Sequence, residues 1–295
     1  MSWSDSLQLP ELYSPNTMRS LAITVLIVLC GVPVAMSIGY AALYSLGLVG
    51  LLGDGFTLSN WAQLLDGEFG RSIAYSAYVA GASIVLALGV ALALLVSIPR
   101  VIEHPNVYRL LFIPLTLPPI VAAFVMYQLL SGGGLLSRIA WHLGLVADAG
   151  AFPALVNDPY GISIILTHTL LVFPFLLLVL VNLWRNENLY ELARVAASLG
   201  AGRWQIIRRV HAPVLLRGIF PLAALYFVFF LGAYDIPLVL DASSPRMISV
   251  LVLEKMQRYN LADIPVAYAM ATWYALLCLA TIGLLYTRFS RRYAL

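Results

Sequence analysis

The chain has 295 residues, of which 61% are hydrophobic and only 11% charged, and its mean hydropathy is +0.90. Soluble globular domains carry about 25% charged residues, so this composition excludes an ordinary water-soluble domain and makes lipid the expected solvent. The net charge of +3 gives no reason to invoke nucleic acid. The two cysteines, Cys30 and Cys278, both fall inside apolar runs and read as small packing residues rather than a bridge or metal pair.

In chain order, residues 1 to 18 contain Asp5 and Glu11. They lack the basic start and apolar core of a cleavable signal peptide, so the first span is expected to act as its own insertion signal. Six uncharged segments follow: Leu21 to Leu52, Ser72 to Ile98, Leu110 to Leu130, Tyr160 to Trp184, Gly218 to Tyr234 with an apolar continuation to Leu240, and Ile264 to Tyr286. A helix crosses the hydrocarbon core with roughly 20 residues. The spans are therefore placed at 20–48, 72–98, 108–131, 160–184, 213–240 and 263–288. Gly47, Gly50 and Gly53 predict that the first helix frays at its far end. Ile113-Pro-Leu-Thr-Leu-Pro-Pro119 predicts a kink in the third span, and a short amphipathic helix is expected around Leu135 to Val146.

Lysine and arginine accumulate in cytoplasmic loops. With the N-terminus inside, twelve arginines lie on the inner side and five basic residues on the outer side, which accounts for all seventeen. Acidic residues lean outward, Asp54, Asp66, Glu68, Asp148, Asp158, Asp235, Asp241, Glu254 and Asp263 among them. The reading is an all-α integral membrane protein of six spans, one domain, with both termini cytoplasmic.

The inner loop at 187–212 stands apart. Leu189, Leu192, Val195, Ala196 and Leu199 recur every three or four residues, which predicts an amphipathic helix. Gly200 and Gly202 end it. A second short helix starts near Arg203 with Trp204, Ile207 and Val210 along one stripe, and Pro213 opens the next span. Helix, glycine turn and helix make a compact knob. On these residues alone it serves equally well as an amphipathic pair on anionic headgroups.

This segment resembles the signature loop of binding-protein-dependent ABC permeases: Glu-Ala-Ala, three residues, Gly, nine residues, Ile, one residue, Leu-Pro. Ala196, Gly200 and Pro213 match, and Val210 sits at the isoleucine position. Arg194 stands where the family has glutamate, Val195 replaces the first alanine, and Ala212 replaces leucine. Glu191, one turn before Arg194, is placed to pair with it. The resemblance implies a coupling loop that docks on a cytoplasmic ATPase dimer, carried here by Glu191, Arg194, Ala196, Ala197, Gly200, Ala201, Trp204 and Pro213. It also implies a second permease subunit and an extracytoplasmic solute-binding protein. ATP and Mg would be bound by the partner ATPase and not by this chain. No Gly-Lys pair is present for a P-loop, since the single lysine, Lys255, lies in Leu-Glu-Lys-Met.

Two features mark a translocation path. His168 is ionisable within the fourth span, although a neutral histidine bonded to a neighbouring helix is the stronger reading of the same residues. Tyr234-Asp235-Ile-Pro237 follows Gly232 in an apolar run, and broken backbone at membrane depth belongs where it faces protein or a water-filled route. An interfacial Asp235 is the alternative. This acidic-Pro segment resembles permeases for polyamines, ferric iron, sulfate and thiamine, and the acidic outer loops favour a polyamine-like cation. Trp61, Trp141 and Trp184 are expected as interfacial anchors. A standalone secondary transporter or channel is the competing function. It would favour an inverted repeat or several intramembrane charges, and it leaves the loop unexplained.

Overall fold

The computed structural model describes residues 15–293 apart from 51, 52, 54, 103, 149, 150 and 243. The expectation about a signal peptide, the end of the first apolar segment at Leu52 and the outward placement of Asp54 concern residues that lie largely outside that set. Among the described residues there is no strand. Among these described residues, six helical stretches are long and apolar enough to cross a membrane: Met18–Ser45, Glu68–Ser97, Pro119–His142, Ile162–Asn186, Arg203–Leu231 and Asp263–Leu284.

Helix α1 (Pro15–Ser45) ends before Gly47, whose φ of +74° and lack of room for a Cβ, 2.7 Å from the Gly55 carbonyl oxygen, admit no other residue without strain. Helix α2 (Ser59–Ala62) is fastened to that end, where Asn60 donates to the Ser45 carbonyl at 2.9 Å and Trp61 Nε1 to Ser45 Oγ at 3.1 Å. Helix α3 (Glu68–Ser97) carries an inward row of Ala80, Ala87 and Ala91, all fully buried. Small side chains let helix backbones approach closely in lipid, and this row seats α3 against the fourth span.

The stretch expected as one span at 108–131 is instead broken. Helices α4 (Pro99–Ile102) and α5 (Pro105–Leu110) lead to a single 3₁₀ turn at Pro114–Thr116, an extended Leu117–Pro118, and then α6 (Pro119–Leu130). Pro118 and Pro119 remove backbone donors and hold Leu117 and Pro118 in extended backbone, which interrupts the helix there, while Pro114 opens the 3₁₀ turn. Twelve residues of α6 rise about 18 Å, short of a core of about 30 Å. After a turn at residues 131–134, α7 (Leu135–His142) occupies the expected amphipathic position.

Helix α8 (Ile162–Asn186) is capped by Asp158, whose carboxylate accepts from the Tyr160 and Ile162 amides at 3.0 and 2.9 Å. It is the most enclosed of the long helices. Leu176, Leu177, Leu180 and Val181 meet Ile84 and Leu95 of α3 and Leu215 and Ile219 further on, forming the main core. After α9 (Leu189–Ser198) and α10 (Arg203–Ile206) a π-turn at Ile207–His211 leads without interruption into α11 (Ala212–Leu231). The second half of the expected loop at 187–212 is thus helical and continuous with α11, and Pro213 lies inside that helical run rather than at its opening. Gly232–Tyr234 breaks the chain before α12 (Asp235–Leu240). Helix α13 (Ile248–Gln257) and the long α14 (Asp263–Tyr293) complete the fold. Two smaller cores close the end opposite α9: Phe69, Leu251 and Met270 in one, Val79, Ile164, Ile236 and Met247 in the other. Helix α1 leans on α14 through stacked Tyr44 and Tyr268, with ring centroids 4.3 Å apart.

Candidate functional site

The residues singled out in the sequence gather at two places joined by one helix. The first is the knob. Helix α9 ends in a Schellman motif: the Gly200 amide donates to Ala197 O at 2.9 Å and the Ala201 amide to Ala196 O at 3.0 Å. Gly200 takes φ +85° to close it, and open space surrounds the position where a Cβ would stand. The glycine is therefore demanded by backbone handedness and not by crowding. Gln205 then reaches back to accept from the Gly202 amide at 3.1 Å, starting α10. Glu191 and Arg194 pair across one turn at 2.9 Å, both well exposed. Such a pair contributes little to stability, but it sets the charge pattern of the outer face. On that face Leu192, Val195, Leu199 and Trp204 are exposed, the last two at 83% and 71%. The knob is anchored from beneath by Leu189, which is fully buried.

The second place is a cavity of ≈ 660 Å³ at the other end of the fifth span. His168, Tyr234 and Asp235 all line it, together with Pro114 and Pro119 of the broken third segment and Tyr226 and Phe230 of α11. His168 is 1% exposed, stacks flat on Phe230 at 4.2 Å, and neither ring nitrogen has a protein partner. A bonded packing histidine, the alternative from sequence, is not what these atoms form. An unpaired buried imidazole costs about 1–3 kcal/mol. Asp235 is exposed, while Pro237 is buried in the packing of α12 and is not part of the cavity wall. Tyr274, unremarked in the sequence, closes one side: a Cβ on Gly232 would collide with its hydroxyl. The signal for it was the glycine at the break.

The chain beyond α12 is fastened beside this cavity. Asp241 accepts from the Ala242 and Met247 amides at 3.0 and 2.7 Å. The Ile248 amide donates to Ser76 Oγ at 2.8 Å and Ser249 Oγ to Ala233 O at 2.5 Å. Burial pushes the Asp241 carboxyl up to about 6, against the pull of those amides and of Arg246. Further out, Arg246 and Arg258 both pair with Glu254, and Lys255 with Glu68 at 3.2 Å.

Residues 105–295, which include the knob, the broken span and every residue of the cavity, match the family described as the inner membrane component of binding-protein-dependent transport systems. The chain belongs to this family. It is 28% identical over 215 residues to the molybdenum transport system permease protein ModB of Mycobacterium bovis, covering 71% of this chain and 76% of that protein. The ModB protein of Mycobacterium tuberculosis matches equally. Among solved structures, a bacterial ABC transporter that imports the acidic polysaccharide alginate has the same fold, with a TM-score of 0.65 at 20% identity over 93% of this chain and 94% of its own. A second structure of a bacterial alginate ABC transporter, in complex with an alginate pentasaccharide-bound periplasmic protein, superposes with a TM-score of 0.65 at 18% identity over 93% of both chains. The chain is a multi-pass inner-membrane permease subunit of an ABC importer. A standalone secondary transporter or channel is not favoured.

Proposed function

We propose that the cavity at the α11–α12 break is the translocation path for a small solute delivered by an extracytoplasmic binding protein, and that the α9–α10 knob receives the drive from a cytoplasmic ATPase dimer. In this reading both termini and the knob face the cytoplasm, in line with the arginine distribution. A second permease subunit, similar or identical, completes the pathway. The observation that carries it is continuity: one helical run, Arg203–Leu231, begins in the knob and ends at the cavity. A displacement applied at one end of a continuous packed helix is transmitted toward the other.

This chain has only to bind and orient. His168 and Asp235 would offer a solute one imidazole and one carboxylate, while Tyr226, Phe230 and Tyr234 supply aromatic walls. The volume suits a small guest. A polyamine-like cation, expected from the acidic loops, draws no support from the relatives found, one of which is named for molybdenum. The solute is therefore taken no further than its size.

The test is a purified complex in nanodiscs, with ATPase stimulation measured for the binding protein loaded from a panel of molybdate, sulfate and spermidine. Stimulation by one member and a slower uptake in Asp235→Ala are expected. No stimulation by any solute, with no ATPase copurifying, would return the case to a standalone transporter.

A further inference from the structure

The knob and the fifth span meet at a joint, and two side chains there were not assigned by the sequence pattern. Trp184, expected at the membrane interface, is only 2% exposed. It lies under the knob, 5.5 Å from Tyr190 of α9 and 4.4 Å from His211 between ring centroids. His211 is the last residue of the π-turn and is 7% exposed. Its polar neighbour is the backbone of Leu189, the first residue of α9. Neither imidazole nitrogen nor the Trp184 indole nitrogen makes a well-formed hydrogen bond.

The π-turn has a local cause. Pro213 has no N–H to donate to the Arg209 carbonyl, and its ring crowds that oxygen. The helix accommodates it by widening, so that the Ala212 amide pairs with Ile207 five residues back. A widened turn is where a continuous helix bends most readily. His211 therefore sits at a joint, in contact with α8 through Trp184 and with α9 through Leu189.

We propose that His211 and Trp184 form the linkage by which movement of α9 bends the fifth span at the Ile207–His211 turn; they are positioning residues that touch neither solute nor nucleotide. A histidine whose best partner is the Leu189 backbone and an indole N–H with none are a poor choice for static packing in an apolar junction, since phenylalanine or leucine would fill the space with no nitrogen to satisfy. They suit a junction with two arrangements, in which the nitrogens find backbone carbonyls after the turn shifts. This inference rests on the ATPase-driven reading above.

The experiment compares His211→Phe, Trp184→Phe and His211→Gln with the parent chain in the reconstituted complex. It measures copurifying ATPase, thermal stability, and solute taken up per ATP hydrolysed. His211→Phe is expected to keep the ATPase bound and the stability unchanged or raised, while uptake per ATP falls about five- to tenfold. His211→Gln, which keeps a hydrogen-bonding side chain, is expected to retain most of it. Unchanged uptake per ATP in His211→Phe, or losses that merely follow the melting temperature across all three, would overturn the linkage. No ATPase accompanying the parent chain would remove the underlying reading, and this inference with it.

Discussion

Helices α1 and α8 have the same hydropathy, 2.6 in their most apolar windows, yet 0% of one window and 67% of the other is buried within the chain. Apolar content makes both segments spans without deciding which becomes the core, because lipid tails are as apolar as leucine and provide no drive between helices. Packing detail decides. Helix α8 faces the alanine row of α3 and the glycine of α11, where a Cβ on Gly218 would stand 2.9 Å from Leu183. It also brings its polar groups inward, Thr167 and His168 among them. Helix α1 offers Leu26, Ile27 and Leu29 outward and touches the rest mainly along α14.

The contrast can be broken most strongly at paired leucines. Leu180→Ala, fully buried in α8, is expected to cost about 2–5 kcal/mol, whereas Leu29→Ala, 71% exposed in α1, should cost under about 0.5 kcal/mol. Thermal melting of the isolated subunit in detergent compares them directly. Similar losses would mean that α1 is packed as tightly as α8.

A glycine pair sharpens the same point with a smaller effect. Gly218→Ala forces Leu183 aside and is expected to cost about 1–3 kcal/mol. Gly39→Ala in α1, with open space at its Cβ, should be neutral or gain up to about 1 kcal/mol from helix propensity. The same melts read both.

A pH effect is expected at the loop that follows α12. The folded Asp241 carboxyl titrates near 6 because it is buried, above its ordinary 3.8. The folded state therefore holds this proton more firmly, and the group's contribution favours folding below pH 4 and is lost as pH rises toward 6. Melting temperature should fall over that interval, and Asp241→Asn should flatten the slope. An unchanged slope in the variant would assign it to another group.

Much of the scaffold was legible in residue order. Long uncharged runs marked the membrane class, and the glycine at 200 marked the turn that its φ of +85° then required. Three matters were not legible, each for a physical reason. Equal hydropathy hides burial, as α1 and α8 illustrate. Three prolines between 114 and 119 could kink a span or end it, and only packing beside α8 selects the break. Trp184 near a span end reads as an interfacial anchor, but whether a helix terminus meets lipid or lies beneath a knob depends on residues distant in the chain. The cavity has the same character, uniting Pro114, His168, Asp235 and Tyr274 from four separate stretches.

The central claim is that the exposed knob links this chain to an ATPase. The most direct measurement is ATPase activity copurifying with the tagged subunit from its own membranes, for the parent chain and for Gly200→Asp. The account expects activity with the parent. It expects loss of that activity, or hydrolysis without uptake, in the variant, with insertion retained and the melting temperature lowered only slightly, since the φ of +85° strains any side chain there although the Cβ position itself is open. Equal ATPase and equal uptake in both would contradict it.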